Sequence, residues 1–351
     1  MKQMLYSLQD ITIVPAVLST IESRLECNPY AVDCYKKLPG THASLPLFVA
    51  PMSCVIDDKN WETFTYSGIN TIIPRNISIE RRLELSIDTF VAVSLDEFKT
   101  YFIDISEEEF EIWSKDRKYI CIDIANGHMK KLLDYCEIAK NKWGDNLVIM
   151  TGNIANPDTY LEYAKVGIDY VRVGIGSGNV CTTSANGGIH YPMASLLHQI
   201  AMRKSNIIGL NQLSPIYKSI PKIVADGGFN NYDQIIKALA LGADFVMSGK
   251  IFAKCEEACG QIVSTVDDSR RREYYGMSTK RAQKEFGKDN CKTAEGIITS
   301  VSIDYTVEGW ADNFKHYMRS AMSYTNSRTL SEFHKCELEV MSPSAYQSYF
   351  K

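Results

Sequence analysis

The sequence lacks several features, and each absence removes a class of protein. None of its apolar runs reaches the roughly 18 residues of a membrane-spanning helix, so we expect no transmembrane segment. Lysine and arginine form no basic block and the formal net charge is −4, so nucleic acid is not an expected partner. The apolar start is broken at Gln9 and Asp10, which argues against a signal peptide.

Cysteine is plentiful but lacks the spacing of a metal or disulfide-exchange motif. The 351 residues include ten cysteines, and no two of them form a CxxC pair. Several lie inside apolar runs, where cysteine behaves as a small hydrophobic residue. We therefore expect a reduced, cytoplasmic chain with mostly buried thiols. Hydrophobic residues make up 45% and charged residues 23%, which is typical of an ordinary globular protein.

Short, almost continuously hydrophobic runs recur along the middle of the chain. They lie at residues 45–52, 69–75, 88–94, 119–125, 146–153, 169–176, 221–228 and 243–250. Such runs are typical of parallel strands buried on both faces, and stretches of helical periodicity separate them. Eight alternating units predict an α/β fold, a closed (β/α)₈ TIM barrel. An open doubly wound sheet is the alternative, but the GxGxG segment follows the sixth run rather than an early one.

No low-complexity linker divides the chain, so we expect one domain over residues 1–351. Residues 1–44 are interpreted as an N-terminal extension across the barrel, and residues 45–250 as its strands and helices. Residues 251–351 are expected to hold an active-site loop and terminal helices. In a barrel of this kind, the active site lies at the carboxyl ends of the strands.

Glycine turns follow the last two predicted strands. The seventh strand ends in Asp226-Gly227-Gly228 and the eighth in Ser248-Gly249-Lys250. Backbone N–H groups in such turns approach an anion closely, and these two strand ends form the usual phosphate site of a barrel. Together the two turns favour a phosphorylated ligand, although each turn alone is ordinary loop chemistry.

A cysteine follows the sixth strand in a polar, glycine-rich loop, GIGSGNVCTT (174–183). Glycine allows the backbone to adopt positive φ and to turn amides or carbonyls inward. Cys181 is delivered by this loop to the expected mouth of the barrel. It is a candidate nucleophile, provided that its thiolate form is favoured.

This loop, followed by GGIHYP, resembles the catalytic loop of the inosine-monophosphate dehydrogenase and guanosine-monophosphate reductase family. Other segments are similar in a consistent order over almost the whole chain: QDITIVPAVLST, ADGGF, YYGMST and MRSAMSYTN. The resemblance implies a (β/α)₈ barrel, a homotetramer and a purine nucleotide substrate. The dehydrogenase usually carries an inserted regulatory domain, and this chain has no insertion of that size.

The family chemistry begins with a bond between the cysteine sulfur and C2 of the purine, which splits one difficult step into two. The reductase expels ammonia from GMP and takes hydride from NADPH, which releases IMP. The dehydrogenase passes hydride from IMP to NAD⁺ and hydrolyses the adduct to XMP. The resemblance therefore implies an oxidoreductase that uses a nicotinamide cofactor.

Four features favour the reductase direction. They are the missing insertion, the IDIANG segment (122–127), the YGMS segment (275–278) and the lack of tyrosine from Gly276 to Asp304, where the dehydrogenase needs a flap that activates water. The segments VPA (14–16), APM (50–52) and PRN (74–76) are more similar to the dehydrogenase. A dehydrogenase without the regulatory domain stays an alternative, as does a purine-nucleotide-binding barrel without turnover. A flavin-phosphate barrel would explain only the two glycine turns.

The resemblance also implies roles for individual residues. Cys181 would be the nucleophile, and Thr183 with Glu295 would protonate the departing ammonia. The residues implied for the nucleotide are Asp226, Gly227, Gly228, Gly249, Lys250, Gly276, Met277, Ser278, Lys292 and Gly296. Those implied for the cofactor are Ser23, Arg24, Arg75, Asp123, Asn126 and Gly127. Of these, Arg24 or Arg75 would pair with the additional phosphate of NADPH.

The same loop matches a family site for potassium, whose ligands would be backbone carbonyls of Gly176, Gly178 and Cys181. The sequence departs from the family pattern here, because Ser184 stands in place of an arginine. Asn179 also replaces a serine, and Lys250 replaces a glycine of the phosphate site. These departures leave the need for a monovalent cation open, and they allow a deoxy or otherwise altered purine nucleotide.

Overall fold

The computed structural model describes residues 4–31, 44–211, 216–264, 270–285 and 296–349. Eight parallel strands form one sheet: β1 Leu47–Val49, β2 Ile72–Ile73, β3 Phe90–Val93, β4 Lys118–Ile122, β5 Leu147–Ile154, β6 Tyr170–Val173, β7 Lys222–Asp226 and β8 Phe245–Ser248. They lie in chain order, with β8 next to β1. A parallel bridge between Phe48 and Asn70 closes the barrel. The predicted (β/α)₈ barrel is confirmed, and each strand lies within one residue of its predicted run.

Helices connect the strands and surround the barrel. The α-helices are Trp61–Tyr66, Ile79–Leu85, Leu95–Phe98, Glu107–Trp113, Lys130–Trp143, Thr159–Val166, Thr183–Gly187, Met193–Asn211, Tyr232–Ala240, Lys250–Ala253, Lys280–Glu285, Val307–Tyr324, Leu330–Phe333 and Pro343–Tyr349. Leu8–Asp10, Arg24–Glu26 and Gly144–Asn146 are 3₁₀ turns, and Lys99–Ile103 is a π-helical turn. Within the described ranges, no helix combines the length and the apolar character needed to cross a bilayer.

Aromatic side chains fill the interior of the barrel. Phe48 lies 5.1 Å from Phe245 and 6.3 Å from Tyr170, measured between ring centroids, and Phe90 lies 5.3 Å from Tyr170. All four rings are buried, and side chains alternate between the two faces of a strand. Tyr170 points inward, so Arg172 two residues later points inward as well. The rings thus form a packed layer below the carboxyl ends of the strands.

Two small antiparallel sheets complete the fold. Ile11–Ile13 pairs with Leu338–Val340, which ties the amino-terminal segment to the carboxyl-terminal one. The other sheet joins Ile262–Ser264, Arg270–Tyr275 and Ile298–Ser302 after β8.

Arg272 attaches this second sheet to the barrel. Its guanidinium is buried and donates hydrogen bonds to the carbonyls of Ala253 (2.9 Å), Cys255, Glu256 (3.0 Å) and Gly260 (3.1 Å). The first of these carbonyls belongs to the last residue of the helix Lys250–Ala253 that follows β8, where helix carbonyls lack internal partners, and the other three lie in the segment after it. Arg272 thereby joins the strand Arg270–Tyr275 to the segment that follows β8.

The prediction of mostly buried thiols is confirmed for the described part of the chain. Eight cysteines lie there as free thiols, and five of them are buried. The other three, Cys181, Cys259 and Cys336, are partly exposed.

Candidate active site

A cleft of about 340 Å³ lies at the carboxyl ends of the barrel strands. This is the edge at which parallel strands of a barrel present their loops. The predicted site residues that line it are Arg75, Asp123, Gly176, Gly178, Cys181, Thr183, Asp226, Gly227, Gly228, Gly249, Lys250, Gly276, Met277 and Ser278. Loops after β2, β4, β6, β7 and β8 thus converge on one cavity.

The loop after β6 forms the wall that contains the cysteine. Gly174 and Gly176 have φ values of +122° and +70°, a backbone conformation that other residues rarely adopt. The Ser177 hydroxyl donates a hydrogen bond of 2.7 Å to the Asp226 carbonyl, which joins this loop to the end of β7. The sequence therefore turns sharply after β6 and keeps Cys181 over the cleft.

Cys181 contacts a hydroxyl group and a second backbone segment. Its Sγ donates a hydrogen bond of 3.3 Å to Oγ1 of Thr183. The residue pairs with Gly296 in an antiparallel bridge, and the N–H of Ile297 donates to the Val180 carbonyl over 3.0 Å. The thiol is thus partly exposed at the cleft and next to a group able to transfer a proton.

Other described cysteines have a different environment. Burial raises the pKa of Cys54 to about 11, and the pKa values of Cys121 and Cys259 to about 12. A thiol with such a raised pKa is a poor source of thiolate at neutral pH. These three cysteines are therefore poor candidates for a nucleophile.

The ends of β7 and β8 are closely packed glycine turns. Gly227 and Gly228 both have φ of +86°, and a Cβ atom at Gly228 would lie 2.7 Å from the Ser177 carbonyl oxygen. A Cβ at Gly249 would lie 2.3 Å from the sulfur of Met52. Side chains are thus excluded from these turns, which leaves their backbone at the cleft surface.

Lys250 places a positive charge in this part of the cleft. Its Nζ donates a hydrogen bond of 2.9 Å to Oδ1 of Asn230. An ammonium group is a compact point charge that suits a phosphate ligand. The lysine that replaces a family glycine therefore lies at the cleft, next to the glycine turns.

Sequence reasoning missed two polar residues that line the cleft, Arg172 and Asn153. Arg172 Nη1 lies 2.8 Å from Oδ1 of Asp123, and its Nε and Nη2 lie 3.0 and 2.9 Å from Oδ2 of Asp226. Asn153 Nδ2 donates to the same Oδ2 over 2.7 Å. Both are polar residues within predicted buried strands. Because an unpaired polar group is costly to bury, such a residue indicates a partner in the fold, and this is the signal that could have revealed them.

Burial acts to lower the pKa of Arg172, but the carboxylates of Asp226 and Asp123 raise it well above its ordinary value. The guanidinium therefore remains charged between two carboxylates. Sequence reasoning assigned Asp123 to the cofactor and Asp226 to the nucleotide, and one arginine joins them.

The structure brings only part of the predicted cofactor set to the cleft. Arg75 and Asp123 line it, together with Ile124 and Ala125, whereas Asn126 and Gly127 lie outside the lining. Close packing against the end of β5 explains why residue 127 is a glycine, since a Cβ there would lie 2.7 Å from the Asn153 carbonyl oxygen.

Ser23 and Arg24 lie away from the cleft of their own chain. Ser23 accepts a hydrogen bond from the N–H of Leu25 and so caps the turn Arg24–Glu26. The residue after this turn, Cys27, accepts a hydrogen bond of 3.3 Å from Arg319, which belongs to the outer helix Val307–Tyr324. The expectation that this pair meets the cofactor gains no support from these contacts.

Two of the three carbonyls expected to bind potassium accept hydrogen bonds from their own loop. The Ser184 hydroxyl donates to the Gly176 carbonyl over 3.0 Å, and the N–H of Cys181 donates to the Gly178 carbonyl over 3.0 Å. These two carbonyls therefore already accept hydrogen bonds from protein groups. The potassium site stays a prediction.

The remaining predicted residues fall outside the lining or outside the described residues. Gly296 pairs with Cys181 beside the cleft, and a Cβ there would lie 3.1 Å from the Val180 carbonyl. Lys292 and Glu295 lie outside the residues that the structure describes.

Fold and site together define a (β/α)₈ barrel with a cysteine-bearing loop between glycine turns of the phosphate-binding type. The family model "IMP dehydrogenase / GMP reductase domain" matches residues 6–348. The chain belongs to this family, as its catalytic-loop resemblance predicts.

Curated relatives match along most of the chain. A GMP reductase of Shewanella pealeana is 29% identical over 335 residues, which are 93% of this chain and 92% of the relative. A GMP reductase of Vibrio campbellii is 28% identical over 90% of this chain and 89% of its own. The GMP reductase of Caenorhabditis elegans is 26% identical over 90% and 86%.

Proposed function

We propose that this protein is a GMP reductase, which converts GMP to IMP and ammonia with NADPH. The observation that carries the proposal is the Cys181 thiol, partly exposed at the cleft and 3.3 Å from the Thr183 hydroxyl. Relatives named GMP reductase, which match 90% or more of the chain, support the choice of substrate.

In the proposed reaction, the Cys181 sulfur attacks C2 of the guanine ring as a thiolate. The bond between C2 and the exocyclic nitrogen then breaks, and the nitrogen leaves as ammonia after it has gained a proton. Thr183, which contacts Cys181, would pass this proton, and Glu295 would supply it. When held beside Arg75 and Asp123, NADPH would supply the hydride for C2. Cleavage of the carbon–sulfur bond would then return the thiolate and release IMP.

The nucleotide would occupy the part of the cleft formed by the loops after β6, β7 and β8. Asp226 would accept hydrogen bonds from ribose hydroxyls, and the turns at Gly227, Gly228 and Gly249 would bind the phosphate together with Lys250. The remaining proposed nucleotide residues are Gly276, Met277, Ser278, Lys292 and Gly296.

The cofactor would occupy the part of the cleft near β2 and β4. Arg75 and Asp123 line this part, and Ile124 and Ala125 offer apolar surface to a nicotinamide ring. Arg75 would pair with the additional phosphate of NADPH. The proposed assembly is a homotetramer, which analytical ultracentrifugation would measure.

A paired assay tests the proposed direction. Purified protein is given GMP with NADPH and, separately, IMP with NAD⁺, while nicotinamide absorbance is followed. We expect NADPH oxidation and stoichiometric release of ammonia with GMP alone. Reduction of NAD⁺ by IMP with formation of XMP would reverse the direction, and binding of GMP without turnover in either assay would leave only a nucleotide-binding barrel.

A further inference from the structure

Arg172 lies in the interior of the barrel, between the two halves of the cleft. It is 8% exposed and belongs to β6, two residues after the inward-pointing Tyr170. A charged residue at this depth is stable only when it is paired and hydrogen-bonded. Because burying this charge is costly and the residue lines the cleft, we look for a role of Arg172 in ligand binding as well as in barrel stability.

Within the described part of the chain, three side-chain N–H groups donate to the Asp226 carboxylate, and all three point to the same oxygen. Arg172 donates through Nε (3.0 Å) and Nη2 (2.9 Å) to Oδ2, and Asn153 donates through Nδ2 (2.7 Å) to Oδ2. A carboxylate can accept about four hydrogen bonds, two at each oxygen. Because these donors use Oδ2, the carboxylate is held in one rotation, and among the described residues Oδ1 remains for a ligand.

The third donor of Arg172 fixes the guanidinium itself. Nη1 donates to Oδ1 of Asp123 over 2.8 Å, so the planar fork spans the ends of β4 and β7. An ammonium group is a point charge without a rigid fork and cannot reproduce these two directions at once. The geometry thus depends on arginine rather than on positive charge alone.

We propose that Arg172 is a positioning residue that, with Asn153, orients Asp226 so that one carboxylate oxygen recognises the ribose hydroxyls of the bound nucleotide. This inference rests on the proposed function, since it assumes a purine nucleotide in the cleft. A site built to accept a hydroxyl hydrogen bond rejects an analogue that lacks the hydroxyl, because its oxygen stays unpaired. Arg172 would therefore set the preference for ribonucleotides over deoxyribonucleotides.

Equilibrium binding of GMP and 2′-deoxy-GMP to the full-length protein tests this assignment by calorimetry. We expect the wild type to prefer GMP by at least about tenfold. Arg172→Met should reduce that ratio to near one, and Arg172→Lys should give an intermediate ratio with its charge retained. In steady-state assays, Arg172→Met should raise KM for GMP more than it lowers kcat.

Two further variants distinguish a specific loss of carboxylate orientation from a general loss of folding. Asn153→Ala removes one donor from Oδ2 without a change in charge, and it should lower the ratio by about threefold. Lys204→Met removes an ion pair to Asp244 at the other end of the barrel, where N and O lie 2.6 Å apart, and it should leave the ratio unchanged.

The outcomes separate this inference from the proposed function. An unchanged ratio in Arg172→Lys and Asn153→Ala would overturn the role of Arg172 while GMP reduction by the wild type still stands. A wild type that binds both nucleotides equally would overturn it too. Failure of the wild type to bind GMP at all would overturn the proposed function and this inference with it, whereas selective binding of GMP without reduction would overturn the proposed function alone.

Discussion

The two ends of the barrel contain similar ion pairs in different surroundings. At the amino end, Lys140 pairs with Asp169 (3.1 Å) and Lys204 with Asp244 (2.6 Å). Each aspartate directly precedes a strand and accepts a backbone N–H of the preceding strand, from Ile149 in one case and from Ile223 in the other. These pairs therefore connect an outer helix, a strand and its neighbour, and they contribute to stability.

At the carboxyl end, Arg172 joins two carboxylates that border a cleft. Loops follow the strand ends here, among them the glycine turns after β7 and β8, so the charged groups face a space that a ligand can occupy. A buried ion pair therefore acquires a functional role from the loops around it rather than from its own chemistry. Changes at the carboxyl end should alter activity, and changes at the amino end should alter stability.

The largest expected effect at the carboxyl end is that of Cys181→Ala. Removal of the sulfur eliminates the proposed covalent bond to the purine, so kcat should fall by at least about a thousandfold. Binding of GMP should remain measurable by calorimetry. Cys336→Ala is the matched control, since Cys336 lies outside the cleft lining, and it should retain activity. Near wild-type turnover in Cys181→Ala would rule out covalent catalysis.

Thr183→Val should have the next largest effect. The variant keeps the shape of the side chain but loses the hydroxyl 3.3 Å from Sγ of Cys181, so the proposed proton transfer to the departing nitrogen should slow by about a hundredfold. Rapid-quench measurement of ammonia release reports this step. Thr183→Ser retains the hydroxyl and should stay within a few-fold of the wild type; an equal loss in the two variants would assign Thr183 a packing role only.

At the amino end, Lys204→Met and Lys140→Met should lower the free energy of unfolding by about 2 kcal/mol each, because each leaves a partly buried carboxylate without its cation. Urea denaturation measures this loss. Their kcat and KM values for GMP should remain within about twofold of the wild type. A selective rise in KM would contradict the division of roles between the two ends.

The smallest effect concerns His334, which lies near the same end, within the influence of Asp244, Lys204 and Lys222. Burial lowers its pKa below the ordinary value of 6.5, so the unfolded chain binds the proton more tightly than the folded chain. The stability that depends on the neutral ring is complete above pH 6.5 and is lost as the pH falls through the lowered folded pKa.

The urea midpoint of the wild type should therefore fall as the solution is acidified below pH 6.5, and that of His334→Asn should fall less steeply. Identical slopes for the two proteins would exclude His334 as the titrating group. Activity measured at pH 7.5 should be the same in both proteins, since His334 lies outside the cleft lining.

Much of the fold follows from local patterns in the sequence. Continuous Val and Ile runs predict the eight buried strands, and the glycine stops before Asp169 and Asp244 mark the ends of helices. The loop with Cys181 is equally visible, because glycine and polar residues interrupt an otherwise apolar pattern. These features depend on neighbours within a few residues.

The site could be predicted only in part. Arg172 and Asn153 are single polar residues in apolar runs, and no local pattern reveals which partners they meet on β4 and β7. Gly127 resembles a ligand-binding glycine in sequence, yet in the fold it provides room for the backbone at Asn153. Ser23 and Arg24 stand in a motif-like segment that packs near an outer helix.

The succession of strands along the chain, the turns that end them and the polar setting of Cys181 were determined by the sequence itself, since continuous apolar runs and glycine φ preferences act locally. Only the tertiary structure decided that Asp123 and Asp226 share the guanidinium of Arg172, and only it decided which glycines line the cleft. The reason is physical: barrel closure brings together side chains that lie 49 and 54 residues apart along the chain, and distances between them are set by the packing of whole strands.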